Sequence, residues 1–207
     1  MVKMIPDFSF EREALEAGAV FVAGVDEVGR GPIAGPVTAA AVRLDPCRIP
    51  EGLGDSKTLS LATRERLSAW LWDHAEVVVA HASVEEIDEH NILRASHLAM
   101  ERAIAGLGRV DMALVDGNLL PRGLTCPGRA IIKGDARCQS ISAASVVAKV
   151  ARDRIMVDLA QQFPGYGWER NAGYPTKAHL QALLDLGVTP AHRRSFKPVH
   201  NILYQAP

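Results

Sequence analysis

Cysteine is scarce in this chain of 207 residues, and its three copies, Cys47, Cys126 and Cys138, never form a Cys-x-x-Cys pair. The sequence therefore argues against a disulfide framework or a thiolate zinc site, and we expect a reduced, cytoplasmic setting. The first ten residues lack the apolar core of a signal peptide, and no stretch approaches the roughly 20 apolar residues of a membrane span. We therefore predict a protein with no secretion signal and no membrane partner.

An excess of charge of either sign is also absent, since 23 Lys and Arg face 24 Asp and Glu for a formal net charge of −1. This balance argues against a simple polycation that binds any nucleic acid. A hydrophobic content of 48%, with only 17 glycines and 12 prolines, is typical of a globular chain, and the length suits one domain with an ample core.

Five apolar segments of strand length alternate with helical patterns along the chain. Their β-branched residues predict strands over 20–25, 37–42, 77–82, 112–115 and 130–132. Apolar spacing and capping residues predict helices over 60–72, 93–107, 140–162 and 176–187. We predict an α/β protein with a mixed five-stranded sheet flanked by helices, in which residues 1–165 form the main domain and residues 166–207 a small helical cap packed on it as a single structural unit.

Carboxylates follow two of these strands directly. Asp26 and Glu27 come after the first strand and precede two glycines, and Asp116 follows the fourth strand and precedes another. An ionised carboxylate is costly to bury unless it is paired or binds a metal. One such junction is equally compatible with an ordinary turn, but two indicate that the carboxylates converge. Oxygen ligands grouped in this way suit Mg²⁺ or Mn²⁺ better than zinc. Neighbouring strand residues point to opposite faces, so Asp26 and Glu27 can share a ligand only if the chain turns there.

The predicted helix 140–162 carries a stripe of polar residues at helical spacing: Ser142, Ser145, Lys149 and Asp153. Periodicity alone favours a solvent-facing stripe with a Lys149–Asp153 ion pair, worth about 0.3–0.5 kcal/mol. Small residues at 143–145 would also let this helix approach the strand ends, so both interpretations stay open at this point.

Taken together, these segments closely resemble the type 2 ribonucleases H, the ribonuclease HII family. The matching blocks keep the family's order from about residue 20 to residue 199. They are Gly24-Val-Asp-Glu-Val-Gly-Arg-Gly-Pro32, Gly54-Asp-Ser-Lys-Thr-Leu59, Val115-Asp-Gly-Asn118, Lys133-Gly-Asp135, Ser142-Ala-Ala-Ser-Val-Val-Ala-Lys-Val-Ala-Arg-Asp153, Gly173-Tyr-Pro-Thr176 and His192-Arg-Arg-Ser-Phe196. Several long motifs in register are far more specific than any one of them.

The resemblance implies a ribonuclease H-like fold and an endoribonuclease. Such an enzyme would hydrolyse the RNA strand of RNA–DNA hybrids and cut 5′ of single ribonucleotides in duplex DNA, leaving a 5′-phosphate and a 3′-hydroxyl. It implies four catalytic residues that also bind Mn²⁺ or Mg²⁺, namely Asp26, Glu27, Asp116 and Asp153. Two such ions would activate a water and stabilise the leaving oxygen, although the sequence leaves a single ion open.

Substrate contacts are also implied by the resemblance. Gly29, Arg30 and Gly31 would approach the ribose 2′-hydroxyl, the group that distinguishes RNA from DNA, and Tyr174 would stack on the adjoining deoxyribose. On sequence alone, Tyr174 is also compatible with an ordinary half-buried aromatic residue. We predict phosphate contacts from six basic residues: Arg30, Lys57, Lys149, Arg193, Arg194 and Lys197.

The sequence departs from the family's pattern at two positions. Ala172 stands where members often carry a basic residue, which puts one phosphate contact in doubt. Cys138 stands where a small hydroxyl residue is common, which raises the question of sensitivity to oxidation.

Other interpretations explain the sequence less well. A dinucleotide site at Gly29-x-Gly31 would place two acids beside a pyrophosphate, and Pro32 removes one amide from the turn. A phosphate-binding loop of the Walker type needs glycine before its lysine, where this chain has Ser56. A transposase- or resolvase-like nuclease of the same fold would share the acids but gives no reason for the Gly-Arg-Gly loop with Tyr174. A catalytically silent hybrid-binding protein gives no reason for four acids.

We therefore expect RNA–DNA hybrids and ribonucleotide-containing duplex DNA as partners of a monomeric enzyme, with a role in DNA repair that the resemblance implies. If the four acids bind metal, 20 of the 24 acidic residues remain against 23 Lys and Arg. The near-neutral net charge is thus compatible with a local basic face around the site.

Overall fold

A computed structural model describes residues 5–204 of the chain. The first four residues of the segment predicted to lack a signal, and the last three residues of the predicted cap, lie outside the described residues. The strands are β1 (Val22–Val28), β2 (Val37–Arg43), β3 (Glu76–Ala82), β4 (Met112–Asp116) and β5 (Gly128–Ile131). The helices are α1 (Ser9–Glu16), α2 (Leu61–His74), α3 (Val84–Gly106), α4 (Gln139–Gln162), α5 (Trp168–Asn171), α6 (Lys177–Leu186) and α7 (Lys197–Tyr204).

The five strands form one mixed sheet in the order β3-β2-β1-β4-β5. β1, β2 and β3 pair antiparallel, whereas β4 and β5 run parallel to β1. The predicted α/β fold with a five-stranded sheet is therefore confirmed. β1 extends to Val28 and contains both Asp26 and Glu27, because they pair with Ala40 and Ala39 of β2. The turn that the sequence analysis required for the two acids to share a ligand is absent from this strand.

Helices cover both faces of the sheet, which explains why its central strands are apolar almost throughout. α3 packs on one face against β1, β2 and β3, and α4 packs with α2 on the other. Gly24 allows α4 to lie close to β1, since a Cβ there would be 2.1 Å from the backbone carbon of Ser140. The beginning of α4 therefore lies directly on the strand that carries Asp26.

A buried glutamate from α1 holds the first turn of α4. Glu11 is 2% exposed, and its Oε1 accepts hydrogen bonds from the Ser140 amide (2.6 Å) and the Cys138 thiol (3.2 Å). A carboxylate at this position satisfies an otherwise unpaired amide and interacts favourably with the helix dipole. Burial, together with the nearby Glu11, raises the pKa of Cys138. The thiol is therefore shielded from oxidation, which answers the question raised by this departure from the family's pattern.

Capping residues define most helix ends. Ser60 and Thr176 accept hydrogen bonds from the amides three residues later, as expected for the starts of α2 and α6, and Gly187 follows α6. α3 begins at Val84, where Ser83 and Glu86 form a reciprocal capping box, and its backbone is interrupted at Asn91, which has a φ of +67°. The predicted helix start at residue 93 coincides with this interruption, where Asn91 Oδ1 accepts hydrogen bonds from the Leu93 and Arg94 amides. The short helices α1, α5 and α7 are not predicted from the sequence.

The segment after residue 165 packs around a small hydrophobic cluster. Its members are Ile33, Ala34, Met156, Tyr166, Trp168, Leu183, Ala191 and Val199. Three of them come from before residue 165, in the loop after β1 and in α4, so this cluster joins the helical segment to the loop. The boundary at residue 165 stays a prediction. Among residues 5–204, no helix has both the length and the apolar character needed to cross a membrane.

Candidate active site

Three acids meet at one edge of the sheet. Val25 of β1 pairs with Val115 of β4 in parallel, so Asp26 and Asp116 are the next residues on adjacent strands. Glu27 follows Asp26 and points to the opposite face, where it and Asp116 line a cleft of about 260 Å³ beside α3. The structure therefore brings Asp26, Glu27 and Asp116 together without the turn that the sequence called for, because Asp116 lies close enough for its charge to act on both Asp26 and Glu27.

Asp26 and Glu27 lie in an environment that opposes their ionisation. Burial, followed by the charges of Glu27 and Asp116, raises the pKa of Asp26 well above its usual value. Burial also raises the pKa of Glu27, although the Arg30 guanidinium 3.2 Å from its Oε1 acts in the opposite direction. The site thus concentrates negative charge with little compensation from the protein, and a bound cation would supply that compensation.

The residues after β5 hold Asp116 in place and add a further acid. The Gly134 amide donates a hydrogen bond of 2.7 Å to Asp116 Oδ1, in a turn that begins with Lys133 in the left-handed conformation. Asp135 follows, and burial together with the Asp116 charge raises its pKa. Lys57 Nζ lies 3.8 Å from Asp135 Oδ2. Asp135 belongs to one of the family-like motifs, Lys133-Gly-Asp135, but no role for it is predicted from the sequence.

The polar stripe of α4 is only partly what its periodicity predicted. Ser142 and Ser145 are buried, which contradicts a solvent-facing stripe. Their hydroxyls contact the loop after β2, Ser142 through Gly54 O at 3.1 Å and Ser145 through the Ser56 hydroxyl at 2.9 Å. The stripe therefore fixes the loop that carries Lys57 against α4.

Asp153 lies further along α4 and forms the expected ion pair, with 2.7 Å between Lys149 Nζ and Asp153 Oδ1. Both residues line a second cleft of about 470 Å³ between α2, α4 and α5. The role of Asp153 as a fourth metal ligand stays a prediction.

The chemistry of the three clustered acids fits a hard divalent cation. Within residues 5–204, no group of three or more His, Cys, Asp or Glu side chains is arranged as a ready coordination set. The donors are nevertheless all carboxylate oxygens, and Asp26 is 6% exposed beside two groups of like charge. Oxygen donors in such surroundings suit Mg²⁺ or Mn²⁺.

The loop after β1 brings the Gly-Arg-Gly motif against Tyr174. Gly29 has a φ of +92°, and a Cβ there would lie 2.0 Å from Arg152 Nε. A Cβ on Gly31 would lie 3.2 Å from Cε1 of Tyr174, so the tyrosine ring, which is 45% exposed, rests beside this glycine. The two predicted recognition segments therefore form one surface next to the acids of β1.

The predicted phosphate contacts separate into two groups. Arg30, Lys57, Arg194 and Lys197 are exposed, although Arg30 forms an ion pair with Glu27 and Lys57 with Asp135. Lys149 is partly exposed beside Asp153. Arg193 is 0% exposed, and its guanidinium donates to the carbonyl oxygens of Gly29, Arg30 and Gly35. The prediction that Arg193 contacts a phosphate is therefore wrong, because its donors are used inside the protein.

Sequence reasoning missed a second buried arginine, Arg152, which is also 0% exposed. Its position was detectable, since Ala148, Arg152 and Met156 are four residues apart on α4 and share its buried stripe. A charged residue in an apolar stripe indicates a buried polar partner.

Two buried histidines, His179 and His192, hold the backbone at Tyr174. His179 Nδ1 lies 2.8 Å from the Tyr174 carbonyl oxygen and donates to it, while His179 Nε2 accepts from Trp168 Nε1 at 2.9 Å. His192 Nδ1 accepts from the Thr189 amide at 3.1 Å, which places the proton of this ring on its Nε2, 3.3 Å from His179 Nε2. Both rings are therefore neutral, with fixed tautomers.

The stability of the protein is expected to fall as the pH falls from about 6.5 to about 4 because of His192. Burial, together with the neighbouring His179, lowers the pKa of His192 from 6.5 to about 4, so the unfolded chain binds a proton in this range that the folded chain does not. The neutral ring contributes fully above pH 6.5, and protonation of the unfolded chain removes on the order of 3 kcal/mol by pH 4.

Urea denaturation across this pH range would measure the effect. His192→Gln should flatten the decline relative to wild type, whereas the matched control His90→Gln, at an exposed position, should not. Parallel curves for wild type and His192→Gln would contradict a neutral buried His192.

Comparison with known proteins agrees with the fold. The family model described as Ribonuclease HII matches residues 23–199. The Ribonuclease HII of Cereibacter sphaeroides (strain ATCC 17029 / ATH 2.4.9) is 70% identical over 201 residues, which cover 97% of this chain and 95% of that protein.

Solved structures extend this similarity to three dimensions. The crystal structure of the ribonuclease H2 from Pyrococcus horikoshii OT3 has a TM-score of 0.77 and 30% identity, over 88% of this chain and 97% of that one. Bst-RNase HIII in complex with Mn²⁺ shares the fold, with a TM-score of 0.69 and 19% identity over 92% of this chain and 71% of that one. The chain therefore belongs to the ribonuclease HII family and is a hydrolase with ribonuclease H activity on RNA–DNA hybrids.

Proposed function

We propose that this enzyme also recognises single ribonucleotides in duplex DNA and cuts on their 5′ side, leaving a 5′-phosphate and a 3′-hydroxyl. The observation that carries the proposal is the contact between Gly31 and the Tyr174 ring, beside the acids of β1. One surface thus offers a backbone segment that a ribose can approach, an aromatic face and a carboxylate cluster.

The Gly29–Gly31 loop has the properties of a 2′-hydroxyl sensor. Within residues 5–204, the amides of Arg30 and Gly31 donate no hydrogen bond to another part of the chain. Gly31 has no side chain to block approach, and its neighbour Tyr174 limits the space on one side. Free amides beside a narrow opening can bond a hydroxyl that deoxyribose lacks.

Asp26, Glu27 and Asp116 are proposed to hold Mn²⁺ or Mg²⁺, with Asp153 joining them from α4. Enzymes of this family use divalent metal ions, which supply Lewis-acid activation of water and stabilisation of the leaving oxygen. The protein orients Asp116 through the Gly134 amide and places the exposed Lys57 at the border of the site, where it can contact a phosphate.

A nicking assay tests this proposal. A DNA duplex with one ribonucleotide, an all-DNA duplex and a long RNA–DNA hybrid are incubated with the protein and Mn²⁺ or Mg²⁺. We expect cutting of the hybrid, a single nick 5′ of the lone ribonucleotide, and no cutting of all-DNA. Cutting of the hybrid alone would refute the single-ribonucleotide proposal, and equal cutting of all-DNA would favour a resolvase-like nuclease.

We further propose that the enzyme acts as a cytoplasmic monomer that removes ribonucleotides from DNA as part of DNA repair. The three cysteines, none of which forms a disulfide within residues 5–204, and the exposed basic residues beside the site support this proposal. Size-exclusion chromatography with light scattering would test the monomer directly.

A further inference from the structure

Two fully buried arginines lie behind the Gly29–Gly31 loop. In both, every guanidinium N–H group that forms a hydrogen bond donates to a backbone carbonyl oxygen. Arg152 of α4 donates to the carbonyl oxygens of Pro36 (3.0 Å), Ala172 (3.0 Å) and Ala34 (3.2 Å). It therefore joins three parts of the chain: helix α4, the loop after β1, and the segment that leads into Tyr174.

Arg193 completes this arrangement from the other side of the loop. It donates to the carbonyl oxygens of Gly29 (2.6 Å), Gly35 (2.9 Å) and Arg30 (3.1 Å). We call Arg152 and Arg193 together the arginine clamp. Between them they bind five carbonyls of the loop after β1 and one beside Tyr174.

Burial of the two charged side chains of the arginine clamp is unfavourable in free energy. Among the described residues neither arginine forms an ion pair, although both are 0% exposed. Burial lowers the pKa of Arg152 to about 10 and, with the repulsion from Arg152, that of Arg193 to about 9, so both stay protonated at neutral pH. Apolar side chains of similar volume would often fill such a site at less cost, which indicates a geometric purpose for the charges.

That purpose is visible in the orientation of the loop. Because Arg193 binds the carbonyls of Gly29 and Arg30, these peptide groups direct their oxygens inward. Arg152 occupies the space in which a side chain on residue 29 would lie, and it also holds the Ala172 carbonyl, two residues before Tyr174. The loop amides and the Tyr174 ring are thereby fixed relative to each other and to α4, which carries Asp153 next to Arg152.

We propose that Arg152 and Arg193 are positioning residues for the discrimination between ribose and deoxyribose. They act through the Gly29–Gly31 loop and Tyr174 and do not touch the nucleic acid. This inference rests on the proposed recognition of single ribonucleotides and extends it to residues behind the recognition surface. The planar fork of arginine is required, since a lysine ammonium cannot reach three carbonyls in these directions.

The test compares Arg152→Lys and Arg193→Lys with wild type and with a control, Arg12→Lys, which changes an exposed arginine of α1. For each protein, kcat/KM is measured on the single-ribonucleotide duplex and on a long hybrid. Each clamp variant is expected to lower kcat/KM on the single-ribonucleotide duplex, relative to kcat/KM on the hybrid, by about tenfold. The reason is that a long hybrid offers many ribonucleotides and therefore tolerates a misplaced loop better. Equal losses on both substrates, or no loss, would overturn the proposal.

Amide hydrogen exchange tests the clamp independently of nicking. The Ile33 and Gly35 amides donate to Gly173 O (2.9 Å) and Ala191 O (2.8 Å) within the clamped loop. Both should exchange slowly in wild type and at least about tenfold faster in each clamp variant, but not in Arg12→Lys. Fast exchange in wild type, or unchanged exchange in a folded variant, would overturn the clamp. If wild type fails to nick while the exchange result holds, the proposed function fails and the clamp stands only as a device that orders the loop.

Discussion

Asp26→Asn is expected to reduce cleavage of RNA–DNA hybrids by on the order of 1,000-fold or more while the protein keeps its stability or gains some. Asparagine has nearly the shape of aspartate, so the packing of this 6% exposed side chain is preserved. The substitution removes a charge that burial, Glu27 and Asp116 all oppose, and this relief favours the folded state. It also removes an anionic oxygen donor from the cluster that we propose holds the metal.

Activity, thermal unfolding and metal dependence together test this prediction. We expect Mn²⁺ to raise the unfolding temperature of wild type and to raise that of Asp26→Asn much less, since binding to the folded state stabilises it. Asp73→Asn makes the same chemical change at an exposed position of α2 and should resemble wild type in both measurements. An active Asp26→Asn, or one that Mn²⁺ stabilises as strongly as wild type, would remove Asp26 from the site.

The sequence predicted the acids of the site better than it predicted their local structure. Asp116 is the last residue of β4 and precedes Gly117, so its position at the end of a strand could be predicted from the residues next to it. The extension of β1 through Asp26 and Glu27 depends instead on pairing with Ala40 and Ala39 of β2, as the register shows. Local apolar patterning carries no information on such pairing, so the strand was ended too early.

The buried arginines are a second case in which local sequence patterns do not reveal the partners of a residue. The sequence places Arg193 in a locally basic segment, where an exposed phosphate contact is the natural expectation. Its actual partners include Gly29 and Arg30, whose carbonyls lie 164 and 163 residues earlier in the chain. A helical stripe could have revealed Arg152, but no periodic pattern surrounds Arg193, and its burial follows only from the way the C-terminal segment folds back on the loop.

Tyr174→Ala is expected to lower cleavage at a single ribonucleotide by about tenfold or more, and cleavage of a long hybrid by clearly less. The loss of one aromatic stacking contact costs about 1–3 kcal/mol, and a substrate with one ribonucleotide has no alternative register that restores it. The backbone should stay in place, because the Tyr174 amide donates to Asn171 O (2.9 Å) and its carbonyl accepts from His179. The substitution therefore removes the ring from beside Gly31 and leaves the loop in position.

Three variants measured on both substrates separate the contributions of this ring. Tyr174→Phe keeps the flat face and should retain most of the preference for the single ribonucleotide if stacking dominates, whereas a loss close to that of Tyr174→Ala would assign the effect to the hydroxyl. Tyr204→Ala removes an exposed tyrosine from α7 and serves as the matched control. Equal losses on the two substrates in Tyr174→Ala would show that the ring contributes to general binding, and Tyr174 would then have no part in recognising the junction between ribose and deoxyribose.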